Sequence, residues 1–328
     1  MEAGGCGEIT YREYQEGDEQ EIIGLFNLVF CRNITVRDWN WAFRENPRQR
    51  KDIFLAFCGP GLVGQAASVP LGFSFWGEPI QVTRPQNVMV HPDFQNQGIF
   101  TELLRRLTMY IDEQHLDLVV TFPNNKSLPT FIRKLDYTHI ADIPTYVLPS
   151  ENVEEGAGGS GTTCRIEEIP LFTPADREFI LSCLAPYRIY NSRDLEYLAW
   201  RYSRGSGKAY HILRAYRGSS LTGLVVFKLY GEDQSVDLVE FFSRDGTDPV
   251  DPWLNAIAGH FQVRGIGIAS FNTWLLPHYT QYTLFRKAGF GRSHFITHLV
   301  TKSFSPKTSG RSPDSTSFYL SMGDSDVY

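Results

Sequence analysis

The sequence lacks closely spaced cysteines. Its 328 residues include five cysteines, an odd number, and no two of them form a C-x-x-C pair. A disulfide framework or a cysteine-ligated zinc site needs paired or closely spaced cysteines, so we expect neither, and we predict no metal site. Free cysteines are typical of a reducing compartment, and we therefore expect the protein in the cytosol.

Long hydrophobic runs and an excess of basic charge are also missing. No apolar run approaches the roughly 18 residues that a membrane-spanning helix needs. Residues 1–9 have no basic or apolar region typical of a signal peptide. The 31 Lys and Arg against 37 Asp and Glu give a net charge of −6, which disfavours a nucleic-acid partner. We expect neither membrane insertion nor nucleic-acid binding, and the oligomeric state stays open.

The sequence does contain two regions of ordinary globular composition with a polar linker between them. Residues 151–163 are rich in Gly, Ser and Glu, which indicates a solvated linker between domains at 1–150 and 164–302. The stretch 303–317 is rich in Ser, Pro and Thr and reads as a tether, but residues 318–322 are apolar again. We expect the tail within 303–328 to dock back on the body of the protein.

Hydrophobic periodicity and turn residues predict alternating strands and helices in the first region. The predicted strands are 9–14, 53–57, 62–69, a strand ending at Val90, 118–122 and 146–148, and the predicted helices are 18–30, 36–45, 101–114 and 129–135. This order predicts a mixed α+β fold in which helices flank a largely antiparallel sheet.

Three landmarks of the first region recur roughly 155 residues later. Arg37-Asp38 corresponds to Arg193-Asp194, and Gly64 to Gly223, while the third pair of segments is 131–137 and 284–290. Agreement of three spacings favours a tandem repeat over two unrelated α+β stretches, although both interpretations stay open.

The segment 88–113 carries the clearest functional signal. Residues 88–90 resemble a strand that stops at Pro92, and the polar turn that follows contains Gly98. Leu103, Leu107 and Ile111 then recur at helical spacing. A turn that opens directly into a helix gathers unpaired backbone N–H groups at the positive end of the helix dipole, which suits a pyrophosphate. Glycine allows the phosphate to approach the backbone closely.

This segment resembles the coenzyme A motif of the GNAT acyltransferase superfamily, in which a strand with V-x-P at its end leads into Q/R-x-x-G-x-G/A and a helix. Val90 and Pro92 fit the strand, Gln95 and Gly98 fit the turn, and Phe100 replaces the usual small residue. The resemblance implies two tandem GNAT-like domains and acetyl-CoA, or another acyl-CoA, as cofactor.

The same resemblance implies which residues hold the cofactor. The backbone of Met89 and Val90 would pair with the pantetheine arm. Asn124 and Asn125 lie where a family asparagine often contacts the cofactor, although ordinary turn chemistry explains them equally well. The pyrophosphate would be held by the backbone N–H groups of Gln95, Asn96, Gln97, Gly98, Ile99 and Phe100.

A better string match, Q-x-x-G-x-G at 262–267, is rejected on its context. It follows a predicted helix at 252–261, and the negative end of a helix dipole repels phosphate. Gly265 there is interpreted as a helix terminator. The counterpart of the first turn is instead 243–251, which contains three aspartates, so the second domain is expected to be degenerate and to bind no cofactor.

The transfer chemistry is less well marked than the cofactor site. Many GNAT enzymes protonate the leaving thiolate with a tyrosine, but the matching positions here are Ile132 and Phe285. His91, at the end of the cofactor strand, is a candidate base, as is the C-terminal carboxylate of Tyr328, because some tandem GNAT-like enzymes place their own C-terminus in the active site.

Three functions are weighed on these grounds. The first is an N-acyltransferase, in particular an N-acetyltransferase, that acts on a small amine or amino sugar. The second is a non-catalytic acyl-CoA-binding module, favoured by the missing tyrosine and by Phe100. The third is an aminoacyl transferase of the Fem type, which would show a basic groove and often a coiled-coil insertion, and the sequence shows neither.

Overall fold

The computed structural model describes residues 7–153, 164–202, 207–231, 234–244, 249–311 and 313–325. Two compact units are distinguished by their internal contacts. The first unit contains Met1–Ile140, Gly205–Gly207 and His298–Ser312, and the second contains Ala141–Arg204, Lys208–Thr297 and Pro313–Tyr328. In the described part of the chain, no helix has the length and apolar character needed to cross a membrane.

The first unit is a sheet with helices beside it. Its strands are β1 (Ile9–Glu13), β2 (Asp52–Cys58), β3 (Gly61–Phe75), β4 (Glu78–Val90), β5 (Leu118–Thr121), the start of β6 (Thr138–Pro149) and the end of β13 (Gly291–Ser303), and its helices are α1 (Glu19–Phe30), α2 (Val36–Phe43), α3 (Ile99–Glu113) and α4 (Leu128–Lys134). The strand order β1-β2-β3-β4-β5-β13 is antiparallel except at the parallel pair β4–β5.

The second unit has the same kind of architecture. It contains the strands β7 (Cys164–Ile169), β8 (Ile189–Asn191), β9 (His211–Arg217), β10 (Ser220–Tyr230), β11 (Ser235–Ser243) and β12 (Ser270–Trp274), and the helices α5 (Pro174–Leu184), α6 (Leu195–Arg201), α7 (Asp251–Gln262) and α8 (Tyr282–Lys287). The order β6-β12-β11-β10-β9-β7 is again antiparallel except at the parallel pair β11–β12.

The predicted mixed α+β fold is confirmed, and most element boundaries agree within two residues. The main exceptions are β3, which ends at Phe75 rather than at residue 69, and β6, which begins eight residues before the predicted strand at 146–148. The length of β6 was misjudged because Thr138, His139 and Asp142 near its start are polar and exposed, so this part of the strand lacks an apolar pattern.

The cysteine prediction is wrong at one position. Cys58 is disulfide-bonded, whereas Cys31, Cys164 and Cys183 are free. Cys58 ends β2 and pairs with Ile9, so the chain that leads into β1 passes beside it. That proximity arises from sheet pairing between distant residues, and no spacing rule in the sequence reveals it.

The stretch predicted as a solvated tether is anchored where it begins. A short helix, α9 (Pro306–Ser309), forms there, and Thr308 is fully buried. The Phe304 N–H donates to the Asp117 carbonyl at 3.0 Å, and the Thr308 hydroxyl donates to the same oxygen at 2.8 Å. These bonds satisfy a buried carbonyl between α3 and β5, which offsets the entropy of ordering a Ser- and Pro-rich segment.

The apolar tail is part of the core of the second unit. Phe318, Leu320 and Met322 are at most 1 % exposed. Tyr279 holds the tail through its hydroxyl, which donates to the Leu320 carbonyl at 2.8 Å and accepts from the Leu320 N–H at 2.9 Å. The tail therefore completes the apolar core of this unit through Ser325, and Tyr328 lies outside the described residues.

A buried ion network fixes the end of the tail. The Arg193 guanidinium lies 2.8 Å from Asp324 of the tail and 3.0 Å from Glu240 of β11, and all three side chains are at most 1 % exposed. The Tyr202 hydroxyl donates to Glu240 at 2.6 Å. Burial raises the pKa of Glu240, and Arg193 acts in the opposite direction.

Loss of the Arg193 charge is therefore expected to be costly. Arg193→Met leaves two carboxylates buried without their cation, which we expect to lower the free energy of unfolding by about 3–5 kcal/mol in urea titrations. Arg165→Met, which removes an arginine paired with Glu167 at the surface, is the matched control and should cost less than about 1 kcal/mol. Equal losses in the two variants would contradict the role assigned to the network.

Candidate coenzyme A site

A β-bulge bends β4 shortly before the proposed cofactor site. Gln65 of β3 pairs with Met89, whereas Ala67 pairs with Gln86, so β4 carries one extra residue in this interval. Asn87 lies in it with φ +52°, and its carbonyl accepts from the Gln65 side chain at 3.0 Å. A bulge bends its strand and increases the local twist.

The bend follows the point where β4 and β5 stop pairing. In the described residues, the two strands pair only at Val82 with Leu118 and at Thr83 with Val119. After the bulge, Met89 and Val90 continue to pair with β3 on the other side of the strand. The last residues of β4, including Met89 and Val90, thus have no β5 ladder partner, which suits an extended ligand that pairs with a strand edge.

The turn after β4 presents backbone N–H groups to solvent. Residues 92–94 form a short 3₁₀ helix, after which Gln95, Asn96, Gln97 and Gly98 are all exposed. The Gln95 N–H donates to the Pro92 carbonyl at 3.3 Å and is engaged within the turn. For the N–H groups from Asn96 to Phe100, no acceptor lies within the described residues, so these five remain available to a ligand.

Two left-handed residues shape this turn. Asn96 has φ +63° and Gly98, the N-cap of α3, has φ +85°. Asparagine and glycine tolerate this conformation better than other residues, which accounts for both at these positions. Unpaired N–H groups at a helix N-terminus, next to residues in left-handed conformation, form an arrangement that attracts anions.

Close packing of α3 on the sheet fixes where that turn lies. A Cβ at Gly64 of β3 would meet the Leu103 side chain at 2.9 Å and the Ile99 side chain at 3.1 Å, so a larger residue there requires these side chains to shift. Ile99, Leu103, Leu104, Leu107 and Ile111 are at most 2 % exposed and form the predicted apolar face. Phe100, the departure from the family motif, is half-buried against the same core.

Acidic charge near the turn is largely compensated. Glu102, in the first turn of α3, pairs with Arg105 at 2.7 Å and with Arg106 at 2.8 Å. The hydrogen bond from Arg105 lowers the pKa of Glu102, which stays ionised and neutralised by its partners. Asp93 is the other carboxylate beside the turn, and its side chain is 83 % exposed, where solvent screens it.

The two asparagines after β5 have structural roles in this structure. The Asn124 side-chain oxygen accepts from the N–H groups of Lys126 and Ser127, both at 3.0 Å, and so organises the start of α4. The Asn125 oxygen lies 2.6 Å from Nε2 of His298. Turn chemistry accounts for Asn124 and a contact with β13 accounts for Asn125, and the cofactor role of both residues stays a prediction.

His91 lies where the sequence predicts it, at the end of β4. Its Nδ1 accepts from the Asp93 N–H at 3.3 Å and its ring packs edge-on against Phe94. The side chain is 28 % exposed, so solvent reaches it. Partial exposure and a local hydrogen bond are compatible with His91 as a catalytic base. They are equally compatible with a histidine that only ends the strand and has no catalytic role.

The position of the missing tyrosine is occupied by a core residue. Ile132 lies in α4 and packs against the core of the first unit. Asp136, where the family has glycine, adopts φ +58°. The nearby Tyr137 is buried, which raises its pKa to about 12, and its hydroxyl contacts Thr108 at 3.3 Å, so it acts as a core residue.

Sequence reasoning missed Gln65. This fully buried glutamine supports the bulge through its side-chain nitrogen, and its oxygen has no partner among the described residues. A glutamine inside the predicted strand 62–69 was the available signal, because a buried polar side chain in an apolar strand needs a partner.

The helix predicted upstream of the second string is confirmed. Residues 262–267 begin at the last residue of α7, and Gly265 has φ +71° with its N–H donating to the Gln262 carbonyl at 2.9 Å. The site therefore lies at the negative end of that helix. In the second unit, the segment 243–251 is the predicted counterpart of the turn after β4. It lies partly outside the described residues, because 245–248 are not among them.

A comparison with family models finds one that fits this geometry. The acetyltransferase (GNAT) domain model matches residues 10–140, which include β4, the turn and α3. The chain therefore contains a GNAT acetyltransferase domain. A search of curated proteins finds no sequence match.

Solved structures share the fold of the GNAT domain and much of the remaining chain. A GCN5-related N-acetyltransferase from Anabaena variabilis aligns with a TM-score of 0.67 at 12 % identity, over 91 % of this chain and 73 % of that one. A conserved protein of unknown function from Enterococcus faecalis V583 aligns with 0.67 at 13 %, over 90 % and 72 %. Saccharomyces cerevisiae N-myristoyltransferase with bound myristoyl-CoA aligns with 0.60 at 10 %, over 90 % and 79 %.

The contact over Gly64 gives a direct test of how the GNAT domain positions its turn. Gly64→Val places a branched side chain against Leu103 and Ile99, and we expect it to lower the free energy of unfolding by about 1–3 kcal/mol. Gly61→Val is the matched control, because it lies on the same strand and the nearest atom to its Cβ is at 3.7 Å. Urea unfolding measures both, and a Gly64→Val variant as stable as Gly61→Val would argue against close packing.

Proposed function

We propose that the protein is an N-acyltransferase that moves an acyl group from acyl-CoA to a small amine or amino sugar. Acetyl-CoA is the donor we test first, and a longer acyl-CoA is the alternative, because one structural neighbour holds myristoyl-CoA. The GNAT domain supplies the donor site, and we place no second cofactor site in the rest of the chain.

One observation carries the proposal: five backbone N–H groups from Asn96 to Phe100 are unengaged at the N-terminus of a 15-residue helix. A pyrophosphate offers acceptors to all of them and gains from the helix dipole. The end of β4 that has no β5 partner lies a few residues before this turn in the chain, so the pantetheine arm has a strand edge to pair with.

We further propose that the chain is a tandem of two GNAT-like halves. The second unit repeats the element order of the first, with one additional strand, β8, and has its parallel pair at the corresponding position. Gly223 leaves room for α7 to pack closely on the sheet, as Gly64 does for α3, because a Cβ at Gly223 would meet Trp253 at 2.4 Å. Asp136 and Gly289 share a left-handed conformation after α4 and α8.

Coenzyme A binding is tested through one exposed residue of the turn. We expect acetyl-CoA to raise the midpoint of thermal unfolding, because a ligand that binds only the native state stabilises it. Gln97→Glu places a negative charge beside the pyrophosphate and should weaken binding at least about tenfold by calorimetry, which corresponds to about 1.4 kcal/mol.

The matched control is Gln114→Glu, the same exchange at the exposed C-terminal end of α3, which should bind like the wild type. Acidic residues are favourable at a helix N-terminus, so Gln97→Glu should fold at least as well as the control. Loss of binding in both variants, or in neither, would be evidence against the turn as the pyrophosphate site.

The second candidate function, an acyl-CoA-binding module without transfer, is favoured by Ile132 at the position of the usual acid. Release of free thiol from acetyl-CoA across a panel of small amines and amino sugars separates the two. Release that depends on an amine supports the transferase, and binding without release supports the module.

The proposed base is the C-terminal carboxylate of Tyr328, with His91 as the second candidate. The tail through Ser325 is fixed in the second unit by Arg201, which donates to the carbonyls of Gly323 at 2.9 Å and Ser325 at 3.0 Å.

Deletion of residues 326–328 is therefore expected to lower turnover about 10²- to 10⁴-fold, the usual contribution of a general base, without lowering affinity for acetyl-CoA. The deletion spares Asp324 and Arg201, so the melting temperature should stay close to that of the full chain. His91→Gln is the companion variant. Full turnover in the deletion together with loss in His91→Gln would assign the base to His91.

A further inference from the structure

Three potential metal ligands converge in the second unit, in residues that the proposed transfer does not use. Glu168 comes from β7, His211 is the first residue of β9, and His260 lies in the last turn of α7. Nδ1 of His211 is 2.8 Å from one carboxylate oxygen of Glu168, and Nδ1 of His260 is 3.2 Å from the other. All three ligand atoms lie within 4.8 Å of one another.

These separations match the edges of a coordination polyhedron. Imidazole nitrogens and carboxylate oxygens bind Zn²⁺ at about 2.1 Å, which places two ligands of a tetrahedral ion about 3.4 Å apart. The distance of 3.2 Å from His260 to Glu168 is close to that value, and the distance of 2.8 Å from His211 to Glu168 is a hydrogen-bond length that would open when an ion binds. Two histidines and one glutamate form a ligand set that zinc uses when a fourth position stays open.

The surroundings hold the two imidazoles in place. The His211 ring stacks on Phe227 with centroids 5.2 Å apart, and the His260 ring meets Phe227 edge-on at 5.6 Å. The two histidine rings are 4.2 Å apart. Packed rings lose little entropy when they bind an ion, which favours a site over a chance meeting of surface groups.

Solvent reaches the cluster from one side. The side chain of Glu168 is 42 % exposed and that of His211 is 23 % exposed, whereas His260 is only 7 % exposed. An incoming ion therefore approaches over the carboxylate, and a water molecule can occupy the fourth position.

The charges around the cluster act in both directions. Burial and the neighbouring His211 lower the pKa of His260. Burial raises the pKa of Glu168, but the hydrogen bond from His211 and the nearby charges outweigh it, and the net effect is a lowered pKa. Arg264 is the opposing charge at this site, and it disfavours a cation.

We propose that Glu168, His211 and His260 form a binding site for one divalent transition-metal ion, with Zn²⁺ as the reference ion. Binding replaces the protons that the two Nδ1 atoms share with Glu168, and those protons move to Nε2 of each ring or leave to solvent. Nε2 of His260 is buried without a partner among the described residues, so this step has a cost and the affinity is moderate. The ion connects the edge strand β7 with β9 and α7.

The test is a titration of the full-length, metal-free protein with Co²⁺, whose visible absorption bands report the coordination geometry. We expect one Co²⁺ per chain with a four-coordinate spectrum, displaced by Zn²⁺ and not by Mg²⁺, because nitrogen ligands suit zinc rather than magnesium. Zn²⁺ should also raise the midpoint of thermal unfolding.

Glu168→Gln and His211→Gln should each weaken Co²⁺ binding at least about tenfold. Both side chains are partly exposed, and circular dichroism in the presence of a chelator verifies that the variants fold. Glu167→Gln, the neighbouring carboxylate on β7, is the matched control and should bind like the wild type. The absence of a four-coordinate spectrum, or equal binding by all three variants, would show that the cluster is a hydrogen-bonded triad only.

Discussion

The structure of the proposed donor site depends on how closely α3 packs against β3. The helix meets the sheet over Gly64, and this contact places Ile99 and Leu103 in the core with Gly98 directly outside it. The free energy gained by burying the apolar face of α3 thus offsets the cost of a turn whose backbone N–H groups are unsatisfied.

Strain and unsatisfied groups concentrate in the same short stretch of chain. Asn87, Asn96 and Gly98 all have positive φ, and each lies at a point where the backbone changes direction. The buried Gln65 oxygen without a partner lies beside the bulge. Local departures from ordinary geometry persist only where surrounding structure enforces them, and such departures cluster at functional sites.

What could be predicted from the sequence follows from the range of the interactions. The strand, turn and helix at 88–113 were predictable because Pro92, Gly98 and the spacing of Leu103, Leu107 and Ile111 act within one segment. The string at 262–267 could be rejected for the same reason, since helix polarity is a local property.

The rest depends on residues that are distant in the chain. Arg193 and Asp324 are separated by 131 positions, and no sequence feature near either residue predicts their ion pair. The cluster of Glu168, His211 and His260 likewise joins two strands and a helix, and each residue alone reads as an ordinary polar side chain. The bulge at Asn87 depends on pairing with β3, and the lack of a β5 partner at the end of β4 depends on the position of β5. Neither feature can be predicted from the residues near Asn87 alone.

The absence of the tyrosine that many GNAT enzymes use as an acid is expected to lower the rate of transfer rather than to change the type of reaction. A general acid contributes about 10²- to 10⁴-fold to a reaction, whereas holding the two reactants in place contributes up to about 10⁵- to 10⁸-fold in effective molarity. A thiol has a pKa near 8.5, close enough to neutral for a departing thiolate to take its proton from water. For the proposed transferase, Ile132 at the position of the acid therefore predicts a lower rate, and positioning of the donor by β4 and the α3 turn is the contribution that remains.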